Sequence, residues 1–324
     1  PRRCWRRSTA ARSSWWLTVC LIECWASTAT RSMSTLAELW SYDFIRQAVF
    51  AALLASVLCG VIGTFVVVKR LVFISGGVSH AAFGGLGVCY YLGIEPLLGA
   101  AVVAIGSALL VAAGGRRWIG SQDAVIGILW SVGMAIGIVF VALSPGYAPN
   151  LMTYLFGNIL TVSHGAVLTT SLFTVAVLGF VMTFFKEFVA VSFDEEFARV
   201  QGVPVGVFMA ILMVMVALSV VLLIQLVGII LVIALLTIPP VISLMLSRGF
   251  VSVILLSTFI GALMTLGGLV VSYVFDLPSG PTMVLLGALL MALAHLWQRA
   301  VRRDPRSLLD QLPSEPRRPV SSGT

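Results

Sequence analysis

Few side chains in this sequence are equipped for chemistry, and the most unusual of them is His80. It lies in FISGGVSHAAFGGLGVCYYLGIEP, residues 73–96, a stretch rich in glycine and apolar enough for lipid. Imidazole ligates transition metals and is the side chain that titrates nearest neutral pH. Asp123, in GSQDAVIGIL, opens the next long uncharged run. Ionisable groups at membrane depth are costly and are functional candidates by default. His80 and Asp123 are therefore expected to act as transient metal ligands along a cation path. A packed, hydrogen-bonded histidine is the plainer alternative for His80. One histidine cannot specify a metal, and a path needs weak ligands rather than a closed tetrahedral site. Gln225, Asn158 and His164 are polar groups expected near an interface, and His295 lies one turn before a basic tail.

Motifs of other chemistries are missing. No GxxxxGK[ST] loop is present, and neither lysine, Lys69 or Lys186, follows such a loop. There is no HExxH, and no Ser/His/Asp set can be argued from spacing. The five cysteines, Cys4, Cys20, Cys24, Cys59 and Cys89, form no CxxC pair and no Cys/His cluster. Buried, inert thiols are the expected reading. The chain is therefore not expected to be an enzyme or to hold a permanent cofactor.

The elements that must position His80 and Asp123 are membrane spans. Charged residues make up 10% of the chain and its mean hydropathy is +1.06, against about 25% charged residues in a soluble domain. A spanning helix needs about 20 apolar residues. Uncharged runs cover 47–68, 71–94, 97–115, 124–185, 200–247, 249–275 and 277–298. The fourth divides at SPGYAPN and LFGN, and the fifth has a soft break near Gln225–Gly228. The expectation is all-α: a polytopic membrane helix bundle of about nine spans, or eight if one is short or re-entrant. Basic residues fall on alternate ends of the spans, at Lys69-Arg70, Arg116-Arg117, Lys186 with Arg199, Arg248, and Arg299 onward. The opposite loops carry Glu95 and Asp276. The positive-inside rule puts the basic loops and the C-terminus in the cytoplasm. Nine spans then put Met33 outside, and eight put it inside. Glycines within the spans allow close backbone approach in lipid.

The net charge of +7 does not point to nucleic acid. Six arginines against one glutamate within residues 1–32 supply most of it, and the other basic residues orient the protein in the bilayer. Residues 1–32 match the rest poorly and are expected to be a non-native or disordered extension, with Met33 the natural start. Residues 33–298 form the transmembrane domain. Residues 299–324 form a basic, Pro-rich cytoplasmic tail.

Two cytoplasmic segments could meet a partner. In KEFVAVSFDEEFARVQGVPV, residues 186–205, Phe193, Phe197 and Val200 recur at helical spacing and predict a short amphipathic helix at the membrane surface. In LVIALLTIPPVISLMLSRGF, residues 231–250, Pro239-Pro240 predicts a helix break followed by a second short helix ending at Ser247-Arg248-Gly249.

These landmarks, taken in order, resemble the integral-membrane permease subunits of zinc/manganese/iron ABC importers. GTFVVVKR precedes SHAAFGG, and QDAVIGILWS, LMTYLFGNIL, DEEFARVQGV, LVGIILVIALLTIPP and DLPSGPTMVLL follow. The resemblance covers about Tyr42 to Trp297. There are two departures: Gly77 is read as standing where members commonly carry the acid of a GD-x-x-SHA pattern, and Gly84 stands where they carry proline. The resemblance implies a type II ABC importer permease that works as a homodimer in the cell (inner) membrane. It implies two cytoplasmic ATPase subunits, which use the ATP, and an extracytoplasmic metal-binding protein. It implies ATPase docking by Pro239, Pro240, Ser243 and Arg248, with Glu195, Glu196 and Arg199 nearby. A metal-chelate permease for a siderophore or cobalamin, and an ion-coupled secondary carrier, are the competing readings. The carrier would need coupling-ion ligands at the midplane and often repeated halves. Purified without partners, the chain should show no ATP turnover above background; activity that survives further purification would contradict the missing phosphate loop.

Overall fold

The computed structural model describes residues 43–113, 122–144, 157, 159 and 162–302. The expectations for residues 1–32 and for most of the C-terminal tail lie outside the described residues. So do Asn158, the arginine pair at 116–117, and nearly all of the connection after the fourth span. Among the described residues the regular elements are helical. They are α1 (Asp43–Val68), α2 (Val72–Tyr91), α3 (Pro96–Ala112), α4 (Gln122–Leu143), α5 (His164–Thr183), α6 (Phe185–Phe193), α7 (Glu195–Val200), α8 (Val205–Val227), α9 (Ile229–Leu246), α10 (Phe250–Phe275) and α11 (Ser279–Arg302). Eight of them are long and apolar enough to cross a membrane. Helix α3 has 17 residues, about 25 Å of length.

The register of α2 against α4 decides what α3 does. His80 stacks on Trp130, Gly84 meets Gly133, Gly87 meets Gly137, and Tyr91 packs edge-on to Phe140. Residue numbers rise together on both helices, so α2 and α4 run parallel. Helix α3 returns the chain between them, with Gly99 against Gly85. Nine helices therefore run the length of the bundle, α3 as a short one.

Helix α1 occupies the centre, packed on α5, α8, α9 and α10. Its stripe Ala48, Ala51, Ala52 and Ala55 is fully buried, since small side chains let four neighbours approach one axis. Its hydroxyls are satisfied within the bundle. Ser56 Oγ donates to the Ala52 carbonyl oxygen at 2.7 Å and lies 3.0 Å from Thr265 Oγ1 of α10.

Two sequence expectations change form here. Pro239-Pro240 does not break its helix: α9 runs unbroken from Ile229 to Leu246, with both prolines inside it and buried. Pro240 has no N–H for the Leu236 carbonyl. That oxygen faces Gly63 of α1, where a Cβ would come within 2.7 Å of it. Neighbouring helices commonly accommodate a proline within a membrane helix in this way. The segment 186–205 is two short helices rather than one. Asp194 ends α6 and caps α7, its Oδ1 accepting from the Glu196 and Phe197 backbone N–H groups at 3.0 Å each.

The break expected near Gln225–Gly228 falls at Gly228, the single residue between α8 and α9. Its φ of 82° and ψ of 161° are essentially glycine-only backbone. Gly228→Ala should cost about 1–3 kcal/mol and lower the melting temperature in detergent. Gly206→Ala, where an added Cβ meets nothing within 4 Å, should leave it near native.

Candidate functional site

Helix α2 buries most of its length, from Ile74 to Gly87, but His80 is only half-buried. The close contact with α4 fixes where the ring goes. A Cβ at Gly84 would lie 2.7 Å from the Gly133 carbonyl oxygen, and one at Gly87 would lie 2.5 Å from that of Gly137. The two backbones touch along this line because neither side has a side chain there. Below it the gap is filled by larger groups. The imidazole of His80 stacks on the indole of Trp130, with ring centroids 4.2 Å apart and planes 11° from parallel. Its Nδ1 lies 3.3 Å from Met134 Sδ. Phe73, two turns nearer the start of α2, lies tilted against the same indole at 6.3 Å.

The site therefore holds an imidazole nitrogen, a thioether sulfur and two aromatic faces. Nε2 of His80 has no hydrogen bond among the described residues. An imidazole nitrogen at membrane depth without a partner is expensive unless it meets water, a cargo or another chain. Counted back from Ser79-His80-Ala81, the acidic position of the GD-x-x-SHA pattern is Gly76 rather than Gly77, and a Cβ at Gly76 would stand 3.6 Å from Trp130 Cζ3. Among the described residues no three His, Cys, Asp or Glu side chains come together.

Asp123 does not join His80. It is exposed in the first turn of α4. However, it precedes Trp130 by seven residues and Met134 by eleven, and those intervals put all three on one helical face. The separation along the axis from Asp123 to Met134 is about 16 Å. The sequence reading passed over Trp130 and Met134. The signal available was this spacing, hidden because tryptophan and methionine are ordinary membrane-helix residues. His164 is at the start of α5, with its Nε2 2.6 Å from Gln47 Nε2 of α1, and so belongs to the opposite end of the bundle from Asp123.

At the basic-loop end, the end at which α4 begins with Asp123, Lys69 follows α1 and its Nζ donates to Glu195 Oε1 of α7 at 2.5 Å. The lysine side chain is only 10% exposed, whereas that of Glu195 is 43% exposed. A nearly buried ammonium needs its carboxylate, so this pair pins α7 to the end of α1. Around it Phe193, Phe197 and Val200 are exposed, as are Glu196 and Arg199. In α9, Pro239, Pro240 and Ser243 are buried, Ser243 Oγ donating to the Pro239 carbonyl oxygen at 2.8 Å. Leu244, Leu246 and Arg248 form the exposed end of that segment.

Among the described residues, nine apolar helices pack into one bundle with an imidazole midway along one of them, the build of a polytopic membrane protein. The model of the ABC 3 transport family matches residues 41–298, and the chain belongs to that family. Its members are permeases that leave ATP hydrolysis to a separate subunit. An uncharacterized membrane protein of Synechocystis sp. is 38% identical over 81% of this chain and 92% of its own length. The manganese transport system membrane protein MntC of Halalkalibacterium halodurans is 31% identical, over 80% of this chain and 89% of its own. Among solved structures, PsaBC from Streptococcus pneumoniae in complex with Fab superposes with a TM-score of 0.74 at 29% identity. That match covers 81% of this chain and 94% of the other.

If the Lys69–Glu195 pair pins α7, then Lys69→Glu should destabilise the protein by about 1–2 kcal/mol, since the pair is half open to solvent. Adding Glu195→Lys should restore most of the loss. Thermal unfolding of the two variants in detergent checks this; a double variant no better than Lys69→Glu would contradict the pairing.

Proposed function

We propose that this permease passes a divalent transition-metal ion, of the zinc, manganese or iron class, into the cytoplasm. The observation that carries the reading is His80, a half-buried imidazole with an unpartnered Nε2 at the depth of a glycine-packed helix pair. It stands in a chain akin to a manganese transport system membrane protein. Imidazole suits such ions, and a site without a third His, Cys or carboxylate releases as readily as it binds. Asp123 is the second transient ligand, at the mouth of the same α4 face. The basic loops orient the chain with Lys69, Arg199, Arg248 and the C-terminus in the cytoplasm of the cell (inner) membrane. Nine passes then leave Asp43 outside.

The permease works as a homodimer with two cytoplasmic ATPase subunits and receives metal from an extracytoplasmic binding protein. The surface offered to the ATPase is the end of α9 with α7. Leu244, Leu246 and Arg248 make contact there, beside Glu196, Arg199 and the exposed Phe197. Pro239, Pro240 and Ser243 support that surface from within, and Glu195 holds α7 in place through Lys69.

The test is uptake of radioactive zinc or manganese by proteoliposomes holding the permease with its ATPase and binding protein. His80→Leu should keep assembly and binding-protein-stimulated ATP turnover while uptake falls at least about tenfold, as expected when a required ligand is removed. A well-assembled leucine variant that transports at the native rate would reduce His80 to a packing residue. Absence of metal uptake by the native complex would overturn the proposed cargo. Leu244→Glu should weaken co-purification with the ATPase, and unchanged co-purification with unchanged transport would count against this docking surface.

A further inference from the structure

We infer that Met134 is the second ligand of the His80 site and that it sets the metal preference of this permease toward borderline-soft cations and away from manganese. The inference rests on the importer reading above. What carries it is the geometry between α2 and α4. Nδ1 of His80 and Sδ of Met134 lie 3.3 Å apart. In the tautomer that carries its proton on Nδ1 this is a hydrogen bond donated to sulfur; with the proton on Nε2 instead, the nitrogen and sulfur lone pairs face one point, where a cation would meet both. Metal–imidazole bonds are about 2.1 Å and bonds from zinc to sulfur about 2.3 Å. An ion meeting both distances would see the two ligands close to a right angle, within the range metal sites use. The pair would therefore need little rearrangement to exchange its proton for a metal.

The surroundings hold the pair in place. The Trp130 indole, stacked on the imidazole with planes 11° from parallel, fixes the ring plane. Trp130 and Met134 are one turn apart on α4, so the helix that orients the ring also supplies the sulfur. The backbone contact of Gly84 with Gly133 sets the spacing of the two helices just beyond them. His80, Trp130 and Met134 are all half-buried, so the pair can be reached from outside the helix contact.

The chemical consequence follows from ligand softness. Thioether sulfur is a soft ligand and imidazole a borderline one, whereas manganese prefers carboxylate, carbonyl and water oxygens. No carboxylate is hydrogen-bonded or ion-paired to His80 among the described residues. The pair therefore accepts zinc more readily than manganese. Asp123, about 16 Å further along the same face of α4, is the carboxylate on that face toward the cytoplasmic end.

The experiment is uptake by the reconstituted complex of permease, ATPase and binding protein, with radioactive zinc and manganese measured in parallel. The binding protein's own preference is the same for every permease variant, so a change in the zinc-to-manganese ratio isolates the permease. Met134→Leu removes sulfur at nearly constant bulk and should lower that ratio by about tenfold, with binding-protein-stimulated ATP turnover retained. Met134→Gln, of similar length but with a hard oxygen, should lower it at least as far and raise manganese uptake in absolute terms. It also serves as the second measurement if the leucine variant assembles poorly. An unchanged ratio in an assembled variant overturns the inference and leaves Met134 as a hydrogen-bond acceptor for the imidazole. That result is distinct from a native complex that moves neither metal, which would overturn the importer reading itself.

Discussion

The contact on which the site depends is the meeting of α2 and α4 backbones at Gly84 with Gly133 and Gly87 with Gly137. Lipid offers no hydrophobic reward for bringing helices together, so packing must come from close van der Waals contact. Here that contact has a geometric effect as well. It sets the distance between the helices, and the distance sets the His80–Met134 gap and the His80–Trp130 stack. Gly85 against Gly99 holds α3 to the other side of α2 in the same way. A side chain at any of these glycines would have to push a backbone aside, and overpacking of this kind costs about 1–3 kcal/mol. The displacement would reach the imidazole within a turn.

The fold was largely legible in the sequence. Uncharged runs bounded by basic residues predicted the spans, and the break near Gln225–Gly228 was found at Gly228. The span count stayed open because run length cannot decide whether a 17-residue helix crosses. The parallel register of α2 and α4 decides it, and that register is a contact between residues some fifty apart. Pro239-Pro240 misled for a related reason. Local backbone rules call for a break, but the Leu236 carbonyl lies against Gly63 of α1, and no local rule sees that neighbour.

The candidate site was half legible. His80 and Asp123 stood out because titratable groups are rare in such runs. Trp130 and Met134 carry no such signal, since their types are common in any membrane helix. Only the fold distinguishes them from ordinary packing. The cytoplasmic end was similar. Glu195 looked like a surface acid available to a partner, yet it is taken up by Lys69, whereas Glu196 and Arg199 beside it are exposed.

The parallel course of α2 and α4 has an electrostatic consequence. A helix carries roughly half a positive charge at its N-terminal end. In the proposed orientation, with the basic loops inside the cell, both helices turn that end toward the cytoplasm. On the proposed path, a cation passing close to the starts of α2 and α4 would meet two like-signed poles, with the opposite poles of α1 and α3 ending on the same side of the bundle. Asp123, in the first turn of α4, is placed to offset one of the two. Were the proposed path to run there, the helix ends would add only a small local barrier, about 0.3–1 kcal/mol each, and the Asp123 carboxylate would lower it.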